Sequence, residues 1–172
     1  MQAYNAQAAV DSHAQVIVVA AVTQEANDKK QLIPMLKGVK VQMGIPPRQA
    51  TADNGYFSAS NVTDAQLQEI DLFVAPDRQK HGEKHPRTTG PPPPDVSVAE
   101  QMRHKLRTAE GQAVYKLRKA VVEPVFGQIK EARGFRRFLL RGQEKVQAEW
   151  QMICATHNLL KLFRSEWSPP SA

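Results

Sequence analysis

Residues 115–130 decide the fold of the C-terminal half, and they read YKLRKAVVEPVFGQIK. At about 100° per residue, the apolar residues of this stretch and its N-terminal neighbour fall on one side of a helix. That stripe comprises Val114, Leu117, Val121, Val125 and Ile129. The pattern predicts a helix over about residues 111–133. Pro124 cannot donate a backbone hydrogen bond, so it predicts either a kink at Glu123 or a new helix with Pro124 in its first turn.

Helices are also predicted on both sides of this stretch. One covers about residues 96–108, and a last helix covers about residues 143–164. The last helix has its own apolar stripe of Val146, Trp150, Ile153, His157 and Leu160. Gly134 and Gly142 bracket the connection before it. Residues 96–172 are therefore expected to form an α-helical C-terminal half.

The N-terminal part has a different pattern, in which short apolar runs alternate with helical spacing. Strands are predicted at 4–10, 15–22, 48–52 and 71–75. One helix is predicted from Asn27 or Asp28 to about residue 42. Another is predicted from Ser58 or Ser60 to about residue 70. The run QVIVVAAV at 15–22 is typical of a buried strand. The element order ββαβαβ predicts a mixed α/β fold.

Residues 76–95 separate these two parts and read PDRQKHGEKHPRTTGPPPPD. This Pro-, Gly- and charge-rich composition predicts a flexible or extended linker. The predicted organisation is an α/β part over 1–75, the linker, and a helical part over 96–172. His81 and His85 could ligate a metal only on a helix, which this composition argues against.

The bulk composition excludes several classes of protein. No apolar run approaches the roughly 20 residues that span a bilayer, and the N-terminus has no signal-peptide pattern. The single cysteine, Cys154, excludes an internal disulfide framework and fits a reducing compartment, so a cytoplasmic protein is expected.

The net charge of +6 comes entirely from residues 95–172, which hold fourteen Lys/Arg and eight Asp/Glu. This charge favours a nucleic-acid partner. A solubilising helix surface is the alternative explanation.

Asp53 is the first candidate for a chemical role. It follows the predicted strand 48–52 and opens the turn Asp53-Asn54-Gly55. Ligand-contacting groups are commonly found at strand ends in α/β folds. Asp-Asn-Gly is also a common turn sequence, in which the aspartate bonds its own backbone. The residues alone leave both interpretations open.

Glu123 is the second candidate. Residues seven apart return to nearly the same angle on a helix, so Lys116, Glu123 and Lys130 share one face, with Lys119 beside them. A carboxylate among lysines suits a site that holds a divalent cation and a phosphate backbone. The alternative is an exposed helix with ordinary Lys/Glu pairs.

A resemblance to a known family rests on these residues. The pattern Tyr115-x2-Arg118-x4-Glu123-x6-Lys130 is similar to the Tyr–Arg–Glu–Lys signature of bacterial insertion-sequence transposases of the DDE class. The Arg118-to-Glu123 spacing is one residue longer than the commonest form of that signature. Further similar blocks are YNAQAAVD, ANDKKQLIPML, ADNGYFSASN, VVEPVFGQIKEARGFRRFLLRG and EWQMICATHNLLKLF, which together extend over about residues 3–164 outside the linker.

The resemblance implies an RNase H-like fold in which three carboxylates bind metal. It identifies Asp53 with the second aspartate and Glu123 with the glutamate, both as catalytic residues and metal ligands. Tyr115, Arg118 and Lys130 match the signature residues that contact the DNA end. Lys116 and Lys119 are expected to add DNA contacts beside them. The implied cofactor is a pair of Mg²⁺ or Mn²⁺ ions, expected only in the intact enzyme.

The first aspartate of the family lies on a central strand upstream of the YNAQ block. The expected fold is therefore a truncated RNase H-like mixed sheet of about four strands, with the central first strand missing. Asp11 is the early aspartate of this chain, but its place in the loop between two strands argues that it does not take the role of the first catalytic aspartate. A C-terminal fragment of the catalytic domain that is inactive by itself is expected.

The implied partners are transposon terminal inverted repeats and target DNA. The resemblance leaves open a homodimer or a full-length transposase as protein partner, and it implies a bacterial, nucleoid-associated location. Two alternatives remain: a non-catalytic DNA- or partner-binding regulator derived from a transposase, and an unrelated RNase H-like nuclease.

Overall fold

The computed structural model of the chain describes residues 4–78 and 86–165. Its strands are β1 (Asn5–Val10), β2 (Ile17–Thr23), β3 (Gln49–Ala52) and β4 (Asp71–Val74). Its α-helices are α1 (Leu32–Met43), α2 (Ala59–Val62), α3 (Val98–Arg107), α4 (Ala109–Gly127) and α5 (Gln143–Arg164). Short 3₁₀ turns occupy Lys29–Gln31, Asn54–Tyr56 and Ala65–Leu67, and one π-helical turn occupies Gln128–Ala132. His81, His85 and the middle of the predicted linker lie outside the described residues.

The predicted fold class is confirmed. The chain has a mixed α/β fold with a helical C-terminal half. All four predicted strands are present. In the described residues they form two sheets of two strands each, β1 with β2 and β3 with β4.

The described residues divide into two compact units. The first unit joins residues 4–25 with residues 121–165, and the second unit comprises residues 26–78 and 86–120. Each has its own apolar core. The predicted division into residues 1–75, a linker and residues 96–172 stays a prediction.

In the first unit, α5 packs on an antiparallel hairpin. β1 pairs with β2 from Asn5 opposite Thr23, and the register shifts between Ala9 and Val10. The predicted last helix is confirmed, and four residues of its stripe are buried. They are Val146, Trp150, Ile153 and His157.

Polar side chains of α5 complete the backbone hydrogen bonding of the hairpin. Gln147 accepts from the Val22 N–H (2.6 Å) and donates to the Ala20 carbonyl oxygen (2.9 Å). Asn158 makes the same pair of bonds to the N–H and the carbonyl of Ile17, both at 2.8 Å. These bonds cover the edge of β2 that does not face β1. An uncovered strand edge would be open to pairing with another strand.

The second unit is built around a parallel pair of strands. Gln49 of β3 lies opposite Asp71 of β4, and Ala52 lies opposite Val74. Phe73 and Val74 are almost fully buried in a core that includes residues of α1 and α3. Since the strands are parallel, the residues that follow Ala52 and Val74 emerge at the same end of the sheet.

Two predicted helices of this unit differ from the observed ones. The helix expected from Asn27 or Asp28 begins as a 3₁₀ turn, and Asp28 makes no side-chain cap bond there; Gly44 ends α1 with a φ of 77°. The prediction that the second helix extends to about residue 70 was wrong. α2 starts on the Ser58 cap but ends at Val62, because Asp64 is extended and its side chain accepts from the Gln66 N–H instead.

The predicted helix over 111–133 is also corrected. α4 continues through Pro124, so no new helix begins there, and a π-helical turn follows at Gln128–Ala132. Leu117 is 56% exposed, contrary to its place on the predicted stripe, whereas Val125 and Ile129 are buried. The projection at 100° per residue assumed α-geometry throughout, whereas Gln128–Ala132 has the i→i+5 bonding of a π-turn. An apolar residue of a stripe is buried only where another element packs over it, and Leu117 is not covered in this way.

A close approach joins α3 to α4. Ser97 and Glu100 form a capping box that starts α3, and Thr108 separates the two helices. Its hydroxyl accepts from the Gly111 N–H at 3.0 Å. A Cβ placed on Gly111 would lie 2.0 Å from the Lys105 carbonyl oxygen, so only glycine fits at this position.

We expect Gly111→Ala to destabilise the chain by roughly 1–3 kcal/mol, because the added methyl forces the α3–α4 junction apart. Gly127→Ala is the matched control, since its Cβ would meet nothing within 4 Å and its backbone is helical. That variant is expected to be neutral or stabilising by up to about 1 kcal/mol. Urea unfolding of both variants measures the difference, and equal midpoints would contradict the steric explanation.

The buried imidazole of His157 gives the first unit a pH dependence. Its Nε2 contacts the Gln15 carbonyl oxygen at 3.1 Å, and its Nδ1 has no hydrogen-bond partner among the described residues. Burial lowers the pKa of His157, and the nearby Lys161 and Arg133 lower it further, while the contact with Gln15 acts in the opposite direction.

Because the pKa of His157 is lower in the folded chain than in the unfolded chain, the unfolded state binds more protons near pH 6. The stabilising contribution of neutral His157 is therefore complete above about pH 6.5 and is lost as the pH falls below it. We expect the free energy of unfolding to fall less steeply between pH 7.5 and 5 in His157→Gln than in the wild type. Parallel profiles in denaturant titrations would contradict this expectation.

Candidate nucleic-acid interface

Asp53 lies where β3 ends. It caps the 3₁₀ turn Asn54–Tyr56, and its Oδ1 accepts from the Gly55 N–H at 2.9 Å. The turn interpretation of Asp53 is therefore correct in its geometry. It does not exclude a second role, because a carboxylate has about four acceptor positions on its two oxygens.

A second carboxylate lies close to the same turn. A Cβ placed on Gly55 would lie 3.1 Å from Oδ2 of Asp28 and 3.1 Å from Oδ1 of Asp53. Burial raises the pKa of Tyr56 well above its usual range, and the negative charges of Asp28 and Asp53 raise it further. The sequence interpretation used Asp28 only as a possible helix cap, because its approach to Asp53 depends on tertiary folding.

Tyr115 and Arg118 are neighbours on α4. The guanidinium carbon of Arg118 lies 5.3 Å from the centre of the Tyr115 ring. Burial raises the pKa of Tyr115 and the charge of Asp53 adds to this, while the Arg118 guanidinium and the Ala75 backbone act in the opposite direction. Asp53 is thus close enough to influence Tyr115, although 62 residues separate them in the chain.

A pocket of about 400 Å³ collects most of the predicted site within the second unit. Five of the seven residues predicted from the sequence line it, namely Asp53, Tyr115, Lys116, Arg118 and Lys119. Lys116 and Lys119 are exposed, whereas the Nε of Arg118 is buried without a hydrogen-bond partner among the described residues. A buried donor of this kind is costly unless a ligand or water supplies an acceptor.

Two further charged residues line this pocket and were not predicted. They are Asp77 and Arg78, which follow the end of β4. Arg103 of α3 donates to both oxygens of Asp77, at 2.6 and 3.1 Å, and this contact lowers the pKa of Asp77. Because Asp77 is neutralised by Arg103, the four cations Arg78, Lys116, Arg118 and Lys119 make the lining predominantly positive.

The other two predicted residues, Glu123 and Lys130, belong to the first unit. Both are exposed, and the Lys130 ammonium lies 5.5 Å from the centre of the Phe126 ring. Lys130 falls in the π-helical turn, so its predicted alignment with Glu123 does not follow from a straight α-helix. The metal-binding roles of Asp53 and Glu123 stay predictions. Within the described part of the chain, no cluster of three or more His, Cys, Asp or Glu residues is arranged to hold a metal ion.

Asp11 has a local role in the loop of the hairpin. Its Oδ2 accepts from the backbone N–H groups of His13 (3.1 Å) and Ala14 (2.7 Å). These bonds hold the turn between β1 and β2. That Asp11 does not replace the first aspartate of the family stays a prediction.

Comparison with known proteins supports a DDE transposase. Residues 79–163 match the family model described as a transposase DDE domain, and this match covers just under half of the chain. It includes Tyr115, Arg118, Glu123 and Lys130 but not Asp53. The comparison with curated proteins and the comparison with solved structures each found no match. The matched family is one of nucleic-acid-processing enzymes that generally use divalent metal ions.

Among the helices of residues 4–78 and 86–165, none combines the length and the apolar character needed to cross a membrane.

Proposed function

We propose that this chain is part of the catalytic domain of an RNase H-like, insertion-sequence DDE transposase, and that the pocket of its second unit binds the DNA backbone. One observation carries the proposal. The pocket brings Asp53 next to Tyr115 and Arg118, which the resemblance assigns to the same site although Asp53 is distant in the sequence. Lys116 and Lys119, which the helical projection predicted beside Glu123, line the same pocket.

The charges of the pocket suit phosphate. The buried Nε of Arg118 has no acceptor within residues 4–78 and 86–165, and a phosphate oxygen in the pocket would provide one. Lys116 and Lys119 are exposed beside it and can neutralise neighbouring phosphates without fixed geometry. Tyr115 keeps its proton at neutral pH, since burial raises its pKa, so it approaches phosphate as a neutral donor.

Asp53 and Glu123 are the residues that would hold divalent metal. Carboxylate oxygens are the ligands that Mg²⁺ and Mn²⁺ prefer, and Asp53 retains acceptor positions beyond its bond to Gly55. In the family that the resemblance implies, two bound ions supply activation of water or a 3′-hydroxyl for in-line attack on a DNA phosphodiester. Within the second unit, the pocket cations would orient the strand beside Asp53.

We further propose that the chain by itself is inactive or nearly so. The resemblance implies three carboxylates, and counterparts are present for two of them, Asp53 and Glu123. Asp11, the early aspartate, is engaged in its own turn.

A non-catalytic regulator is the second candidate. The four pocket cations lie together in the second unit, whereas Glu123 belongs to the first. DNA binding therefore does not require Glu123, and a chain that binds DNA without cutting it could compete with an active transposase.

We expect salt-dependent binding to duplex DNA, because cations that neutralise phosphates release counterions. The double variant Lys116→Gln/Lys119→Gln should weaken binding and reduce the slope of log K against log salt by about 2. Fluorescence anisotropy between 50 and 200 mM salt measures both quantities.

The matched control is Lys37→Gln/Lys40→Gln, which removes the same charge from exposed positions of α1 in the same unit. If both double variants reduce the slope equally, binding follows net charge and the pocket is not the DNA site.

Catalysis is tested with DNA that carries the terminal repeats flanking the gene for this chain. With Mg²⁺ or Mn²⁺ we expect little or no strand cleavage, because two of the three implied carboxylates are accounted for. Robust cleavage that Asp53→Ala abolishes would contradict the proposed inactivity while supporting the assignment of Asp53. Circular dichroism of Asp53→Ala is the control for correct folding.

A further inference from the structure

The loop between the π-helical turn and α5 presents two leucines to solvent. It comprises residues 134–142 and reads GFRRFLLRG. Leu139 is 73% exposed and Leu140 is 47% exposed, whereas the neighbouring Phe138 packs against the core of the first unit. Two large apolar side chains are thus left side by side in water. A partner that covers them gains the free energy of their burial.

The backbone that carries these leucines is held in place from α5. The carboxylate of Glu149 accepts from the N–H of Leu139 at 2.8 Å and from the N–H of Leu140 at 3.0 Å. The ring of Phe138 packs edge-to-face on Trp150, with 6.2 Å between the ring centres. Because the backbone is already anchored, binding through the leucines requires little further ordering of the loop.

The charges around the loop are mainly positive. Residues 130–149 hold six Lys/Arg and three Glu. One glutamate is the backbone acceptor on α5 described above, and Glu131 pairs with Arg136. The third is Glu144, whose charge is offset by the adjacent Lys145. A positive excess therefore remains beside the leucines.

Two arginines of the loop supply this excess. Arg137 and Arg141 lie two residues before and two residues after Leu139, and both are exposed. Neither pairs with a carboxylate in the part of the chain that the structure describes. An apolar side chain between two guanidinium groups matches the makeup of DNA, in which stacked bases lie behind phosphates. Residues 79–163, which match the transposase family model, include this loop and favour DNA over a lipid surface.

We propose that Leu139 inserts between stacked bases from the minor groove of DNA, while Arg137 and Arg141 contact phosphates on either side. The proposal rests on the proposed function, because it takes DNA as the partner. Apolar wedges enter base steps from the minor groove and unstack them. Four residues span at most roughly 14 Å of extended chain, so both arginines reach the backbones that border a groove about 6 Å wide. The loop would add a DNA contact in the first unit to the pocket of the second.

The wedge is tested by binding to two duplexes of the same sequence, one fully paired and one with a central mismatch. Insertion costs least where stacking is already weakened. We expect the complete chain to bind the mismatched duplex about tenfold more tightly. A 2-aminopurine base beside the mismatch should gain fluorescence on binding, because unstacking relieves its quenching.

Leu139→Ser should bring the ratio of the two dissociation constants close to one. It should leave the salt dependence of binding unchanged, because it removes the wedge but no charge. Leu159→Ser is the matched control, since Leu159 is a 62% exposed leucine of α5 in the same unit, and it should keep the wild-type ratio. Circular dichroism of both variants establishes that the fold is retained.

The arginines are tested through the salt dependence. Arg137→Gln and Arg141→Gln should each reduce the slope of log K against log salt by about 1. Arg164→Gln is the matched control, because it removes the same charge from an exposed position at the end of α5. Equal slopes in all three variants would overturn the phosphate contacts.

Equal affinity of the wild type for both duplexes would overturn the wedge, and so would an unchanged ratio in Leu139→Ser. Either result leaves the pocket as the DNA site. If Lys116→Gln/Lys119→Gln has no effect while Leu139→Ser and Arg137→Gln do, the pocket fails and the wedge stands. A chain that does not bind DNA overturns both. Binding to phosphatidylserine vesicles that Leu139→Ser abolishes, without discrimination between the duplexes, would assign the loop to a lipid surface instead.

Discussion

A two-stranded sheet leaves backbone groups open on both outer edges, and this constraint can be met by helix side chains that bond to those groups and block further strand pairing. Both units of this chain meet that constraint with side chains from a helix that lies later in the sequence. In the first unit, Gln147 and Asn158 of α5 bond to the backbone of β2. In the second, Lys105 of α3 donates to the Leu72 carbonyl of β4 at 2.8 Å and pairs with Asp71. Polar residues on these helices are therefore structural.

The candidate site depends on the same arrangement. The parallel pair β3–β4 brings Asp53 and the segment around Asp77 to one end of the sheet. The tight junction at Gly111 then directs α4 so that Tyr115 and Arg118 reach the same pocket. Arg103 neutralises Asp77 and leaves the pocket with excess positive charge. Each step is local, yet together they place a carboxylate among cations in one pocket.

Sequence patterns predicted the regular elements well where one periodicity dominates. The stripe of α5 and the apolar run of β2 are examples, and both elements were found close to their predicted positions. Prediction failed where short-range polar bonding or backbone chemistry competes with periodicity. Asp64 ended a helix early by capping the next turn, and residues 128–132 adopted a π-turn. Leu117, on the predicted stripe of α4, is exposed.

By itself, the sequence determined which residues could carry the chemistry, because Asp53, Tyr115, Lys116, Arg118 and Lys119 stand in recognisable motifs. It also determined the mixed fold class, since strand and helix periods differ. Only the tertiary structure decided that these five residues share one pocket, and that Asp77 and Arg78 join them. It alone also decided which apolar residues of α5 are buried and which are exposed. Proximity between distant residues depends on strand pairing and helix packing, and no local pattern in the chain specifies either of these.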